Sequence, residues 1–260
     1  MADETSTAAV PPSMWGSLPD GALDRILVVS PHFDDAALGT AHLLCSYPGS
    51  TVVTVCAGRP GAYPDPPSEW DALGGFRAGD DVVAIRKEED LAAMQVLGAE
   101  TVWLDFVDHQ YLEKRQRARP QQIADALATV IEQRRPSAVF APMGLANPDH
   151  ELTHDAAALL AAARPELCWL AYEDHGYKHI PGMLAWRVAK LFRAGLWPTP
   201  AIVPVEEDHA RKRDAVYRYV SQIPPLERDH GLGARLDGRV PEQHWRLAPP
   251  PPGWERLTER

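Results

Sequence analysis

The stretch ILVVSPHFDD, residues 26–35, decides the fold of this chain, because an apolar run ends there in a polar turn and a helical pattern follows at once. A short apolar run bounded by a turn is typical of a buried strand. Open α/β sheets bind ligands at strand ends that face a crevice, which makes His32, Asp34 and Asp35 candidate site residues. Adjacent aspartates in an extended turn can point in different directions. One of them can therefore hold a metal while the other addresses water.

Strand and helix patterns alternate along the rest of the chain. The apolar runs predict strands at Ile26–Ser30, Thr51–Cys56, Thr101–Leu104, Ser137–Ala141 and Cys168–Tyr172. Helical spacing predicts helices at Ala36–Ser46, Asp81–Leu97, Pro120–Arg134, Pro148–Ala163 and Glu206–Ser221. This alternation indicates right-handed β-α-β units and a Rossmann-like three-layer α/β/α fold with a mostly parallel sheet. Neither a GxGxxG nor a GxxxxGK[ST] motif is present, so the pattern does not favour a dinucleotide or a phosphate loop.

The 260 residues show no break in composition and are interpreted as one domain, 1–260. Residues 1–22 are expected to be a flexible N-terminal segment, and residues 246–260 a proline-rich C-terminal tail. The segment Gly58–Asp80 is long for a connection between a strand and a helix. Long loops in compact domains are usually functional or disordered, and we expect this one to face the substrate.

The net charge of -10, with basic residues scattered along the chain, argues against nucleic acid as a partner. No apolar run is long enough to span a membrane and no secretory signal is recognised, which predicts a cytoplasmic protein without a membrane partner. Cys45, Cys56 and Cys168 are far apart and odd in number, so they are expected to be buried thiols. Assembly into a homo-oligomer stays open.

A second polar motif, Asn147-Pro148-Asp149-His150, follows another apolar strand. Asn147 suits a helix N-cap and Pro148 the first helical position, so His150 is expected in the first turn of a helix. That turn lies at the same sheet edge as His32. The two motifs can therefore meet.

Together the motifs supply two imidazoles and one carboxylate, from His32, His150 and Asp35, which is a normal ligand set for Zn²⁺ with a position left for water. Asp34 then stays free to act as general base on a water that the metal acidifies. Asp149 is placed to orient a histidine ligand through a hydrogen bond. Amide or ester hydrolysis is the chemistry that this combination favours.

Two other interpretations start from the same residues. His150, Glu151 and His154 spell HExxH, the motif of zincin-type metalloproteases, with Glu173 as a third ligand. Pro148 argues against this, since zincins carry the motif well inside a helix. The other alternative is a non-catalytic Rossmann-like binding protein whose histidines are satisfied by hydrogen bonds.

The two motifs resemble those of the PIG-L/LmbE-like deacetylases, which carry His-Pro-Asp-Asp-Glu after the first strand and His-Pro-Asp-His further on. Arg86 with Glu89, Leu97-Gly98 and Asp108 extend the resemblance. It implies that His32, Asp35 and His150 bind one Zn²⁺, or another divalent metal such as Fe²⁺, and that Asp34 is the base. It also implies that Arg86 and Asp108 bind a sugar. The implied reaction removes an N-acyl group from a small-molecule amino sugar or glycoside.

Three positions depart from that family pattern. Phe33 replaces the usual proline, and Ala36 replaces the usual glutamate. Asn147 stands where the family usually has a histidine near the scissile carbonyl. Asparagine can donate a hydrogen bond but cannot act as an acid. Asn147 is therefore predicted to donate to the oxyanion, while a histidine supplies the charge; the candidates are His154, His175 and His244. His154 and His175 are also expected to line the substrate pocket.

Overall fold

The computed structural model describes residues 16–238 and 240–249. Within these residues seven strands form one sheet in the order β3-β2-β1-β4-β5-β7-β6. The strands are β1 (Ile26–Ser30), β2 (Thr51–Thr54), β3 (Glu100–Trp103), β4 (Ala138–Pro142), β5 (Cys168–Tyr172), β6 (Trp197–Pro200) and β7 (His244–Ala248). Strands β1 to β5 run parallel to one another, and β7 is antiparallel to both β5 and β6. The predicted fold class is confirmed.

Helices cover both faces of the sheet. They are α1 (Asp35–Ser46), α2 (Glu69–Leu73), α3 (Val82–Leu97), α4 (Pro120–Arg134), α5 (Pro148–Ala163), α6 (Met183–Arg193), α7 (His209–Val216), α8 (Ile223–His230) and α9 (Leu232–Asp237). Alternate residues of β1 point to opposite faces, with Ile26 and Val28 packing in the core under α1, α3 and α7. Leu27 and Val29 pack in the core under α4 and α5. The result is three layers built from the period-2 pattern of the strands.

The strand order reverses between β1 and β4. Successive crossovers run outward from β1 to β2 and β3, and then return to β4 on the other side of β1. Ligands in open α/β sheets bind at such a switch point, outside the carboxyl ends of the strands. The polar motifs at residues 32–35 and 147–150 follow β1 and β4 directly, so the topology brings them to this point.

The structure corrects several predicted boundaries. Residues 246–248, predicted to begin the tail, belong to β7, and residues 250–260 lie outside the described residues. Of the N-terminal segment predicted to be flexible, 1–15 lie outside the described residues, whereas the Gly16 carbonyl accepts from the Ile202 amide and Ala22 is buried. The helix predicted over Glu206–Ser221 is shorter, spanning His209–Val216.

Two further observations concern the chain as a whole. In the described part of the chain, no helix has the length and apolar character that crossing a membrane requires. The three cysteines are free, as expected, but only Cys56 is fully buried, whereas Cys45 and Cys168 are partly exposed.

Candidate active site

The turn after β1 is held by its own side chains. The Ser30 hydroxyl donates to the His32 carbonyl (2.6 Å) and accepts from the Ala36 amide (3.0 Å). The Asp35 carboxylate accepts from the His32 backbone amide (2.9 Å). The first turn of α1 is thereby fixed by Ser30, and the side chains of His32, Asp34 and Asp35 all line a cavity at the switch point.

His32, Asp35 and His150 converge in this cavity. The Asp35 Oδ2 atom lies 3.2 Å from His32 Nδ1 and 3.2 Å from His150 Nε2. One ligand atom from each residue lies within 4.8 Å of the other two. Two imidazole nitrogens and a carboxylate oxygen at this spacing match the donor set that zinc takes in open catalytic sites.

The second nitrogen of each imidazole faces a carboxylate. His32 Nε2 lies 3.0 Å from Asp149 Oδ2, and His150 Nδ1 lies 2.5 Å from Asp174 Oδ1. Histidines that bind metals usually donate their other N–H to such a partner, which fixes the tautomer and the ring orientation. Asp149 is the residue that the sequence predicts for such a contact, and its carboxylate faces His32. Asp174, which is 1% exposed, was not identified from the sequence.

The two adjacent aspartates differ in their electrostatics. Burial and the charge of Asp35 raise the pKa of Asp34 to about 7. Burial would also raise the pKa of Asp35, but His150 and His32 outweigh it and lower that pKa far below its usual range. Asp35 is thus held as an anion between the imidazoles, while Asp34, 7% exposed, lies beside it as a carboxyl that can take up a proton.

His109 is a cavity residue for which the sequence showed no partner. Its backbone amide (3.0 Å) and its Nδ1 (2.9 Å) both approach Asp149 Oδ2. Hydrogen bonds that His109 donates to the Asp108 and Asp149 carboxylates raise the pKa of His109 to about 9. His32, Asp108, His109 and Asp149 form a second group with metal-compatible spacing. Because His32 Nδ1 faces Asp35 in the first group while its Nε2 faces Asp149, we interpret the second group as a hydrogen-bond network that supports His32.

The cavity has a volume of about 300 Å³. Predicted site residues that line it are His32, Asp34, Asp35, Arg86, Asp108, Asn147 and His150. Lining residues that were not predicted include His109, Tyr111, Tyr177, His230 and the apolar side chains of Leu38, Trp70, Val83 and Leu226. Gly58 and Trp70 come from the loop predicted to face the substrate, which supports that interpretation.

A buried ion pair holds Arg86 at the cavity wall. Arg86 Nη2 donates to Asp71 Oδ1 (2.8 Å), and the Tyr111 hydroxyl donates to Asp71 Oδ2 (2.8 Å). Asp71 is 1% and Arg86 6% exposed, and the Phe76 ring lies 5.5 Å from the guanidinium carbon. Asp71 belongs to α2, inside the 58–80 loop, so the ion pair also fastens this loop to α3.

The predictions for three histidines require correction. His154 lies outside the cavity, with its Nδ1 2.9 Å from the Pro142 carbonyl. His175 and His244 do not line the cavity either. Burial, together with Lys212, lowers the pKa of His175 to about 3, and burial lowers that of His244 to about 4. None of the three is placed to supply a positive charge to a substrate.

The HExxH interpretation finds no support in the geometry. His150 faces Asp35, whereas His154 is not part of either metal-compatible group among the described residues. The Glu173 carboxylate is engaged with Trp245 Nε1 (3.0 Å) and Lys178 Nζ (3.2 Å). The motif therefore contributes one site residue, His150, at a helix start.

Comparisons with known proteins find a matching family model and similar folds. A family model described as PIG-L, GlcNAc-PI de-N-acetylase, matches residues 27–161, slightly more than half of the chain. A triple mutant of the deacetylase of the teicoplanin biosynthetic pathway is 25% identical, with a TM-score of 0.67 over 87% of this chain and 98% of that one. An A40926 pseudoaglycone deacetylase is also 25% identical, with a TM-score of 0.66 over 86% of this chain and 96% of that one.

The fold alone does not determine the reaction. The 4-carboxy-2-hydroxymuconate hydratase of Pseudomonas putida shares it at 18% identity, with a TM-score of 0.52 over 87% of this chain and 96% of that one. No protein in the curated set matches the chain. The site residues, and not the architecture, must carry the functional argument.

Proposed function

The chain belongs to the PIG-L family, and on that premise we propose that it is a metal-dependent hydrolase that removes an N-acyl group, acetyl in the simplest case, from an amino sugar or a metabolite containing one. The observation that carries the proposal is the convergence of His32, Asp35 and His150 in one cavity, with the Asp34 carboxyl beside them.

His32, Asp35 and His150 would hold the metal, and their two nitrogens and one oxygen suit Zn²⁺, with Fe²⁺ as an alternative. The carboxylates behind both imidazoles support this fit. When bound, such an ion acidifies a water molecule and polarises an amide carbonyl.

Asp34 performs the proton transfers in the proposed cycle. It accepts a proton from the water whose oxygen forms the new bond to the carbonyl carbon. The C–N bond then breaks, and Asp34 returns the proton to the leaving nitrogen. The products are a carboxylic acid and a free amine.

Arg86 and Asp108 hold the sugar in this proposal. Because Asp71 already offsets the charge of Arg86, this guanidinium is better suited to donate to a hydroxyl than to neutralise a phosphate or carboxylate. Asp34, Asp35 and Asp108 add negative charge to the cavity lining. We therefore expect an uncharged sugar. The two 25% identical structures are named for the teicoplanin pathway and the A40926 pseudoaglycone, so N-acylated sugars on large aglycones come first in a screen.

The reaction can be tested by measuring primary amine release from a panel of N-acetylated glycosides. We expect release by protein loaded with Zn²⁺ or Fe²⁺, loss of release after chelation and recovery when the metal is returned. The bound metal is measured in parallel and should reach about one ion per chain, the number expected for three protein ligands. Protein that binds no metal after loading would contradict the proposal.

Replacing Asp71 by Asn is expected to weaken sugar binding and to destabilise the fold. Removing one partner of a buried ion pair leaves the guanidinium uncompensated, which lowers the free energy of unfolding by about 3 kcal/mol. Arg86 also loses its fixed orientation, so we expect KM for a neutral glycoside to rise about tenfold, a loss of roughly 1.4 kcal/mol in binding, while metal content stays unchanged.

The matched control is Asp214→Asn, which removes the exposed Asp214–Arg218 pair (2.8 Å). That change should alter stability by less than about 0.5 kcal/mol and leave KM unchanged. Equal KM values for Asp71→Asn and the unmodified protein would show that Arg86 does not depend on Asp71 for substrate binding.

A further inference from the structure

Asn147 uses the two ends of its side-chain amide differently. Its Oδ1 accepts from the Asp149 backbone amide (2.8 Å), as an N-cap of α5 does. Because the oxygen is committed to the helix, the Nδ2 group turns away from it and donates to the Tyr177 hydroxyl (3.3 Å). Both Asn147 and Tyr177 line the cavity. The residue that replaces the family histidine is therefore connected to a second polar group.

The Tyr177 ring is fixed by two neighbours. It stands edge to face with the His150 ring (5.2 Å between centroids, 88°) and with the His230 ring (5.2 Å, 82°). A Cβ at Gly176 would lie 3.2 Å from the His230 ring, so the absence of a side chain there permits this packing. The phenol is thereby held next to a proposed metal ligand.

The Tyr177 hydroxyl is free to donate a hydrogen bond. Its oxygen accepts from Asn147, and in the described part of the chain no acceptor for its own proton is seen. A tyrosine hydroxyl, with an ordinary pKa near 10, remains protonated at neutral pH. A fixed O–H donor that has no acceptor among the described residues, beside the proposed ligand His150, is suited to an oxygen that becomes charged only during the reaction.

We propose that Tyr177 is a catalytic residue that donates a hydrogen bond to the oxyanion formed when water adds to the substrate amide, and that Asn147 is the positioning residue that orients it. The inference rests on the proposed hydrolase function. As the water oxygen bonds to the carbonyl carbon, the C=O electron pair moves onto the oxygen that faces Tyr177. Tyr177 keeps its proton throughout, and the protons that move are those carried by Asp34.

This arrangement offers an oxyanion donor beside position 147, where the family pattern described above usually has a histidine. An oxyanion can be stabilised by any well-placed hydrogen-bond donor. A phenol O–H is such a donor, and it is neutral. The amide of Asn147 is too committed to the cap and to Tyr177 to act as the sole donor. In place of one imidazole, the pair offers two neutral groups: the amide of Asn147 at the N-cap of α5 and the phenol of Tyr177 in the segment after β5.

The test compares Tyr177→Phe, Asn147→Ala and the double variant in the metal-loaded protein. Tyr177→Phe should lower kcat roughly 100-fold, the usual cost of removing one oxyanion donor, with KM and metal content unchanged. Asn147→Ala should lower kcat in the native background and have little further effect beside Tyr177→Phe. A full Asn147→Ala effect in the Tyr177→Phe background would overturn the positioning role.

A binding measurement separates catalysis from structural damage. Tyr177→Phe should weaken binding of a tetrahedral methylphosphonamide analogue of an N-acetylglucosaminide by the factor lost in kcat/KM, while binding of the planar N-acetyl compound changes less than twofold. Tyr217→Phe, at an exposed tyrosine outside the cavity, is the matched control and should change neither. A Tyr177→Phe enzyme with unchanged kcat would overturn this inference alone, whereas unmodified protein inactive on all N-acyl substrates would overturn the proposed function.

Discussion

Replacement of Asp34 by Asn is expected to abolish nearly all turnover, lowering kcat by about a thousandfold, while the protein keeps its full metal content. Asp34 is the N-cap residue of α1, yet its side chain makes no capping hydrogen bond. It also lies outside the group formed by His32, Asp35 and His150. An amide in its place cannot accept a proton from water, but nothing that holds the metal or starts the helix is removed.

The measurement combines initial rates of amine release with metal analysis and thermal unfolding. Asp208→Asn is a matched control, because Asp208 is the N-cap of α7 and accepts from the Arg211 amide (2.9 Å), a role that asparagine also fills. We expect that control to retain full activity and stability. An Asp34→Asn protein that is both metal-replete and fully active would refute Asp34 as the base.

The parallel part of the sheet could be predicted from the sequence, because each of its five strands is a short apolar run and the first four are followed by a helical pattern. The antiparallel part could not. Strand β6 contains Pro198 and Pro200 in four residues, and proline is accepted in a strand only at an edge or a bulge. Among the described residues, β6 is such an edge strand and pairs only with β7. From its composition alone, β6 therefore resembles a loop, and only its pairing with β7 identifies it as a strand.

Site residues that directly follow strand ends could also be predicted from the sequence. His32, Asp35 and His150 were grouped because parallel strands end at the same edge of a sheet. Asp174 was missed because its contact with His150 joins different elements and leaves no periodic signal. His154 was expected near His150, one helical turn away, but the close approach of Gly144, where a Cβ would lie 2.6 Å from the His154 Cβ, places it against the end of β4 instead.

Replacement of His150 by Ala is expected to remove the metal and, with it, all measurable turnover. His150 Nε2 is one of only three proposed protein ligand atoms, and alanine offers no donor atom in its place. Asp174→Asn should have a smaller effect in the same direction. It leaves all three ligands in place but weakens the orientation of His150, so we expect metal affinity to fall roughly 10- to 100-fold. Both changes are measured by removing the metal from each variant with a chelator and then titrating metal back.

Metal titration also distinguishes the proposed site from a zincin-type site, because both sites would include His150. In the proposed site, Glu151→Gln leaves metal affinity and kcat unchanged, and His154→Asn keeps the metal even if it lowers stability, since its Nδ1 faces the Pro142 carbonyl. In a zincin-type site the pattern reverses, because Glu151 would be the base and His154 a ligand. Loss of metal in His154→Asn together with metal retention in Asp35→Asn would therefore contradict the proposed ligand set. The contacts of Asp35 with both imidazoles, 3.2 Å each, favour the opposite result, because among the described residues Asp35 belongs to a metal-compatible group and His154 does not.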